Sequence, residues 1–185
     1  EQMEGTIHFV SEPGKGTRFT LVIPFLPDDS IEMQTEQTQS AGAVQGIEND
    51  KILLVEDYEI NMEIARFVLE NEGAQVQEAW NGKEAVDLFA ASEPGGYDVI
   101  LMDLMMPVMG GLEAAQCIRK LEREDAKTVP IIAMTANAFA DDEERSLAAG
   151  MDAHISKPLD AEKLIQVISD ICKKRKEHAK GDADI

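Results

Sequence analysis

The sequence predicts an α/β protein: a doubly wound, five-stranded parallel sheet with helices on both faces. From residue 51 onward, strand-like runs alternate five times with helix-like segments. This alternation is typical of parallel sheets joined by right-handed crossovers. Most of the strand runs are apolar almost throughout, as expected for strands covered on both faces. The intervening segments repeat apolar residues at the helical period, which completes the pattern.

The strand assignments depend on short apolar runs bounded by turn residues. The five predicted strands are KILLV (51–55), AQVQEAW (74–80), DVILM (98–102), VPIIAMT (129–135) and DAHIS (152–156). The second run alternates apolar and polar residues, so we expect this strand to be half-exposed.

The helix assignments depend on amphipathic periodicity and on end signals. The five predicted helices are INMEIARFVLENEG (60–73), NGKEAVDLFAAS (81–92), GLEAAQCIRKLERE (111–124), FADDEERSLAAG (139–150) and DAEKLIQVISDICKKRK (160–176). Gly73 and Gly150 are expected to end the first and fourth helices, since glycine favours helix C-termini. Asn81 is a candidate N-cap for the second.

Two segments precede this domain, and a short one follows it. Residues 1–27 hold two alternating runs around SEPGKG, which predicts a β-hairpin. A lone hairpin is marginally stable in water, so we expect the chain to be a piece of a longer protein. Residues 28–50 are polar and aperiodic, which predicts a flexible linker. The main domain is then expected at 51–177, with a disordered tail at 178–185.

Composition narrows the function classes. The net charge of −19 argues against binding to nucleic acid and to anionic membrane surfaces. No apolar run approaches the roughly 18 residues that a membrane span needs. Cys117 and Cys172 lack metal-ligand spacing and are expected to be buried thiols, which fits a reducing compartment. We therefore expect a cytoplasmic location, whether or not the parent protein is anchored in the inner or plasma membrane.

Polar residues follow the predicted strands at the edge of the sheet where doubly wound folds bind ligands. Glu56 and Asp57 follow the first strand, Asp103 the third, and Lys157 the fifth, while Thr135 ends the fourth. Three converging carboxylates repel one another and need a cation. Their hard oxygen donors suit Mg²⁺, so the sequence predicts a divalent-cation site.

The same residues indicate phosphoryl chemistry. An ammonium group at Lys157 and a hydroxyl group at Thr135, beside a divalent cation, are suited to holding a phosphoryl group. The carboxylate of Asp103 can be the nucleophile, which gives an acyl phosphate. Singly, each residue has a simpler explanation as a turn, cap or surface residue. Their joint placement at the strand ends favours the functional interpretation.

Residues 51–175 resemble the receiver domain of two-component signalling proteins. The resemblance is carried, in order along the chain, by LLVEDYEIN, DVILMDLMMPVMGG, IIAMTANA and AHISKPL. It implies a flavodoxin-like sheet with strand order 2-1-3-4-5. It also implies that the bond preceding Pro158 is of the cis type that many members have.

The resemblance assigns a role to each residue of the site. Asp103 is implied as the phosphoacceptor, and Thr135 and Lys157 as ligands of the phosphoryl oxygens. Glu56, Asp57 and Asp103, with the backbone carbonyl of Met105, would hold Mg²⁺ or Mn²⁺. His154 stands where many receivers have Tyr or Phe. It would switch conformation together with Thr135.

The first segment resembles a different domain. EGTIHFVSEPGKGTRFTLVIPF is similar to the closing strands of a histidine-kinase ATP-binding domain. The remainder of that domain is missing from the sequence, so we expect no kinase activity from this chain, only its own phosphorylation and dephosphorylation. The two resemblances together imply the C-terminal part of a hybrid sensor histidine kinase.

The implied function is phosphorelay. Asp103 would take a phosphoryl group from phosphohistidine, and the domain would pass it on or regulate the parent kinase. The implied partners are the dimerisation and phosphoacceptor domain of the parent kinase and a histidine phosphotransfer protein. Nucleic acid and direct membrane contact are not expected.

Three alternative functions fit these residues less well. An unphosphorylated docking or autoinhibitory module would be favoured by a lost acceptor or acidic pair, and both are present. A phosphatase with an aspartate nucleophile would need an acid two residues after Asp103, where Met105 stands. A flavin-binding protein would need a phosphate loop after the first strand, where EDYEIN would repel phosphate.

Overall fold

The structure is a computed structural model that describes residues 5–22, 24, 46–136 and 140–181. Its contacts divide the chain into two units, Glu1–Ala41 and Gly42–Ile185.

The first unit contains the predicted hairpin. Strand β1 (Thr6–Glu12) pairs antiparallel with β2 (Gly16–Val22). The pairing places Ile7 opposite Leu21 and Phe9 opposite Phe19 on one face, and all four side chains are exposed. The hairpin is therefore amphipathic, with an apolar face that the described residues of this unit leave open.

The second unit is built on a five-stranded parallel sheet, as predicted. Its strands are β3 (Lys51–Val55), β4 (Gln75–Ala79), β5 (Val99–Asp103), β6 (Ile131–Thr135) and β7 (Ala153–Ser156). Their order across the sheet is β4-β3-β5-β6-β7, which is the predicted order 2-1-3-4-5. Because all neighbours are parallel, the five carboxyl ends lie along the same edge.

Helices cover both faces of this sheet. They are α1 (Glu59–Asn71), α2 (Gly82–Ala91), α3 (Gly111–Arg119), α4 (Asp125–Thr128), α5 (Ala140–Ala148) and α6 (Ala161–Gly181). Asn81 is the N-cap of α2, since its side chain accepts a 3.0 Å hydrogen bond from the Glu84 amide. Gly73 takes a φ of +83° just after α1, where a side chain would be strained.

The alternation of side chains along β3 produces two cores. Ile52 and Leu54 point to the face covered by α1 and α6, whose inner residues include Leu69 and Ile168. Leu53 and Val55 point to the opposite face, covered by α2 and α3. The central strands β5 and β6 are buried at every position, which explains their continuous apolar runs.

The structure corrects the predicted helix at 111–124, because α3 ends at Arg119. The chain leaves the helix before Arg123, and the guanidinium group of this residue caps the end of α2. It donates hydrogen bonds to the carbonyls of Phe89 (2.7 Å) and Ser92 (2.9 Å). It also pairs with Asp125 at 2.6 Å and keeps the pKa of that carboxyl below its ordinary value. These contacts offset the helical turn that is lost.

Two predicted boundaries also shift. The linker predicted at 28–50 ends earlier, because Ile47 is 0% exposed within the core under α1 and Asp50 is buried. The tail predicted at 178–185 begins inside α6, which continues to Gly181 because Lys, Arg, Glu and Ala favour helix. Residues 182–185, and residues 25–45 of the hairpin and linker predictions, lie outside the described part of the chain.

The structure also describes the two cysteines and the length and apolarity of the helices. Cys172 is a buried thiol, as expected, whereas Cys117 is only half-buried. Within the part of the chain that the structure describes, no helix combines the length and apolarity required to cross a bilayer.

Candidate active site

The carboxyl edge of the sheet brings together the acidic residues that the sequence singled out. Glu56 directly follows β3, Asp57 comes next, and Asp103 is the last residue of β5. One carboxylate oxygen from each of the three lies within 4.8 Å of the others. Since β3 and β5 are neighbours in the sheet, their parallel pairing produces this acidic cluster directly.

Burial makes the cluster electrostatically demanding. Glu56 is 1% exposed and Asp103 is 6% exposed, whereas Asp57 faces solvent. Two buried carboxylates so close together would be costly without a compensating positive charge. The protein supplies one from the loop that follows β7.

Lys157 is that positive charge. Its Nζ lies 2.7 Å from Asp103 Oδ2 and 2.5 Å from Glu56 Oε2. Burial alone would lower the pKa of Lys157, but the hydrogen bonds and negative charges of Asp103 and Glu56 outweigh that effect and raise it. Lys157 is therefore a firmly charged ammonium group that bridges the two buried carboxylates. The bond between Lys157 and Pro158 is cis, as the resemblance implied.

Thr135 and Met105 lie beside the cluster. Thr135 is the buried last residue of β6 and follows Met134, which pairs with Asp103 in the sheet. The Thr135 carbonyl accepts a 2.7 Å hydrogen bond from the Lys157 amide. Met105 is exposed, and its backbone N–H donates to Asp103 Oδ1 at 3.2 Å. Both residues therefore adjoin Asp103, and the roles of the Thr135 hydroxyl group and of the Met105 carbonyl stay predictions.

His154 lies farther from the edge. It is half-buried on β7, opposite Ala133, two residue pairs before Thr135 and Ser156 close the β6–β7 ladder. At the rise of about 3.3 Å per residue in a strand, this puts its backbone roughly 7 Å behind the strand ends.

Sequence reasoning missed one residue that contacts the site. The side-chain amide of Asn61, in the first turn of α1, donates a 3.0 Å hydrogen bond to Glu56 Oε1. The available signal was a short polar residue five positions after Glu56, at the start of an amphipathic helix. A solvent-open cavity of about 450 Å³ adjoins this contact, lined by Asn61, Ile64, Lys157, Pro158 and Leu159.

The donor set fits a divalent cation. Three carboxylate oxygens span at most 4.8 Å, and oxygens bound to one Mg²⁺ lie up to about 4.2 Å apart, so only a small side-chain adjustment is needed. Hard oxygen ligands with no nitrogen or sulfur donor among them suit Mg²⁺ rather than zinc or copper.

A match to a family model shows which protein family contains this site. Residues 52–169 match the model of the response regulator receiver domain. This chain belongs to the receiver domain family. The predicted fold and family are thereby confirmed, and the receiver identifies the chain as part of a two-component phosphorelay system.

Curated relatives of the receiver include much longer histidine kinases. Aerobic respiration control sensor protein ArcB of Escherichia coli K12 is 38% identical over 171 residues, which cover 91% of this chain and 20% of ArcB. Hybrid signal transduction histidine kinase I of Dictyostelium discoideum is 38% identical over 126 residues, which cover 66% of this chain and 7% of that kinase. The chain thus spans a fifth or less of the length of these two relatives.

Solved receiver structures share its fold. The receiver domain of sensor histidine kinase PA1611 from Pseudomonas aeruginosa PAO1 matches with a TM-score of 0.62 and 35% identity, covering 68% of this chain and 98% of that one. That structure has a magnesium ion coordinated in its active site cleft. The chemotaxis protein CheY4 of Vibrio cholerae matches with a TM-score of 0.61 and 26% identity, covering 66% of this chain and 98% of that one.

Proposed function

We propose that this receiver accepts a phosphoryl group from phosphohistidine onto Asp103 in a reaction that depends on Mg²⁺. The observation that carries the proposal is the position of the Asp103 carboxylate. It lies at the end of a fully buried strand, within the acidic cluster, and 2.7 Å from the ammonium group of Lys157. A buried carboxylate held in this way is oriented as a nucleophile and surrounded by groups that bind phosphoryl oxygens.

The transfer makes one bond and breaks one. An oxygen of the Asp103 carboxylate bonds to phosphorus, and the bond from phosphorus to the donor's imidazole nitrogen breaks, so that the nitrogen keeps the electron pair. Lys157 turns from the carboxylates toward the incoming phosphoryl oxygens, and the hydroxyl group of Thr135 donates a hydrogen bond to them. Glu56, Asp57, Asp103 and the carbonyl of Met105 would hold Mg²⁺, with Mn²⁺ as a substitute. When bound there, the cation would neutralise the charge of the phosphoryl oxygens.

The proposed response is a rearrangement of the surface formed by β6, α5 and β7. An acyl phosphate adds negative charge at Asp103, which attracts Lys157 and Thr135 inward. His154, on the strand beside Thr135, is the side chain we propose to change position with it. The surface altered in this way transmits the phosphorylated state.

The partners we propose are histidine-bearing proteins of the same relay. They are the dimerisation and phosphoacceptor domain of the parent kinase and a histidine phosphotransfer protein. Three exposed apolar side chains, Ile60, Ile64 and Phe67, follow the i, i+4, i+7 spacing of one face of α1, and Phe67 is 71% exposed. An exposed apolar stripe that begins beside the active site is suited to docking such a donor.

The parent we propose is a hybrid sensor histidine kinase that works in the cytoplasm. The alignment with ArcB covers 91% of this chain. Only 16 residues (170–185) follow the receiver match at 52–169, so the ArcB alignment must also include residues that precede residue 52. This supports residues 1–27 as the closing hairpin of an ATP-binding domain, joined by a linker to the receiver. The apolar face of the hairpin would then pack against the remainder of that domain.

Intact-protein mass spectrometry tests the acceptor. The full chain is incubated with acetyl phosphate and Mg²⁺, with EDTA in a parallel sample, and Asp103→Asn is treated identically. We expect the mass of one phosphoryl group on the wild type with Mg²⁺, and none with EDTA or on Asp103→Asn. If no adduct forms with acetyl phosphate or with a phosphohistidine donor, the chain is an unphosphorylated docking module instead.

A further inference from the structure

Both carboxylate oxygens of Glu56 have a protein donor. Lys157 Nζ bonds to Oε2 at 2.5 Å, and Asn61 Nδ2 bonds to Oε1 at 3.0 Å. Glu56 is almost fully buried, so water is a poor substitute for either donor. The orientation of this carboxylate therefore depends on two side chains from different elements, α1 and the loop after β7.

The two donors are not equivalent. Lys157 is shared between Glu56 and Asp103, and it is the group that turns toward a phosphoryl group in the proposed reaction. A cation in the acidic cluster would also repel its ammonium group. Asn61 is neutral, and its described contact within the cluster is with Glu56. It can keep its hydrogen bond when Lys157 moves and when a cation enters.

The location of Asn61 suits this task. It is the third residue of α1, and its side chain reaches back across the turn to the residue that follows β3. Tyr58, the N-cap residue, makes no capping hydrogen bond with its side chain. The amide of Asn61 thus forms a direct link between the first turn of α1 and the acidic cluster.

We propose that Asn61 is a positioning residue, which holds Glu56 in the orientation that binds a divalent cation. The proposal rests on the cation-dependent function proposed above. Hydrogen bonds to metal-ligating carboxylates commonly change metal affinity by about 10- to 100-fold, because an unsupported ligand must be reoriented during binding. Removal of the Asn61 amide should leave Glu56 Oε1 without its donor and let the carboxylate rotate away.

The test measures Mg²⁺ affinity rather than phosphorylation. Trp80 is the chain's single tryptophan, and it follows Ala79, whose carbonyl accepts the Glu56 amide at 3.1 Å, so its fluorescence reports on the cluster. Titration calorimetry gives the same constant independently. We expect Asn61→Ala to raise the dissociation constant for Mg²⁺ about 10-fold in the full chain.

Asn71→Ala, at the exposed end of the same helix, is the matched control. Both substitutions replace Asn by Ala, which favours helix. Asn61→Ala also leaves a buried carboxylate oxygen without its donor and should lower the melting temperature, so Mg²⁺ affinity is measured well below the unfolding transition of both variants. The control should bind Mg²⁺ as the wild type does. The role of Asn61 is disproved if Asn61→Ala binds Mg²⁺ within twofold of the wild type, or if both variants weaken binding equally.

Acetyl phosphate labelling of the same variants separates this inference from the proposed function. If Mg²⁺ binding depends on Asn61 but Asp103 never takes up a phosphoryl group, the positioning role stands and the proposed function fails. If labelling proceeds and Mg²⁺ affinity is unchanged in Asn61→Ala, only the positioning role fails. A wild type that does not bind Mg²⁺ would overturn both.

Discussion

Lys157 is the residue on which the electrostatics of the site depend. Its ammonium group lies between Glu56 and Asp103, whose side chains are only 2% and 8% exposed. Loss of one partner from a buried ion pair typically costs about 3–5 kcal/mol, because the remaining charge is left unpaired. Here two buried carboxylates would remain without a positive charge. The loss in free energy of unfolding should therefore lie near the upper end of that range unless another cation replaces the lysine.

Lys157→Met should therefore lower the free energy of unfolding by about 5 kcal/mol at neutral pH without Mg²⁺. The raised pKa of Lys157 sets the pH dependence. A raised value means that the stabilisation is complete below the ordinary value of 10.5 and is lost as pH rises through the value of the folded protein. The stability difference between wild type and variant, measured by urea unfolding, should thus shrink in strongly alkaline buffer.

Lys127→Met, which removes an exposed lysine from α4, is the control and should change stability little. Added Mg²⁺ should restore Lys157→Met more than it stabilises the wild type, since the cation replaces the missing charge. A Lys157→Met protein as stable as the wild type at neutral pH would show that the ion pairs contribute nothing.

At the residue scale, the sequence predicted the site residues that lie at or just after the ends of strands. It did not predict a site residue that reaches the same place from a helix. Glu56, Asp57, Asp103, Thr135 and Lys157 could be placed because parallel strands end along a common edge. Asn61 could not, because nothing in the residue order tells whether a polar side chain in a first helical turn points back to the sheet or out to solvent.

At the element scale, the start of α3 is fixed against strand β5. A Cβ atom on Gly111, the first residue of α3, would lie 2.1 Å from the carbonyl oxygen of Asp103 and 2.9 Å from the Met102 side chain. No real Cβ atom tolerates such a contact, so the helix can approach β5 this closely only with glycine there. The close approach holds the backbone of Asp103 in place.

Gly111→Ala should therefore force α3 and Asp103 apart. We expect it to lower the free energy of unfolding by about 2 kcal/mol, as overpacking does, and to slow labelling by acetyl phosphate. Gly110→Ala is the matched control, because its Cβ would meet the Leu104 carbonyl at 3.3 Å and needs only a slight shift. Equal stability and equal labelling rates in the two variants would contradict this account of the α3–β5 contact.

Helix ends were the least predictable elements. Periodicity carried the predicted third helix to residue 124, but the structure ends α3 at Arg119. The competing interaction joins residues about 30 positions apart, since Arg123 caps the carbonyl end of α2 and stacks 4.6 Å from the Phe89 ring centre. Such a long-range contact leaves no periodic signal in the sequence.

At the scale of the whole molecule, the boundary between hairpin and receiver lies before residue 47. Composition placed the linker up to residue 50 because the segment is polar and aperiodic. One apolar residue within it, Ile47, nonetheless fills the core under α1. The amide of Asn49 bonds to the Gly73 carbonyl at 2.9 Å and adds a backbone tie. A single buried side chain is too weak a signal for composition to reveal.

Ile47→Ala should accordingly destabilise the receiver by about 2–4 kcal/mol, as other buried Ile-to-Ala changes do. Ile7→Ala, at a residue 67% exposed on the hairpin, should change the same transition by less than about 0.5 kcal/mol. Unfolding followed by Trp80 fluorescence reports on the receiver alone, because the hairpin contains no tryptophan. If Ile47→Ala costs no more than Ile7→Ala, the receiver begins at β3 and the segment before it is indeed a linker.

Chemical trapping tests whether Asp103 becomes the acyl phosphate. The full chain is treated with acetyl phosphate and Mg²⁺, reduced with borohydride, and analysed by peptide mass spectrometry. One hydride displaces phosphate from the acyl carbon and a second reduces the resulting aldehyde to an alcohol, so that a phosphorylated aspartate is read as homoserine. We expect homoserine at position 103 alone. Trapping at Glu56 or Asp57, or modification that persists in Asp103→Asn, would contradict it.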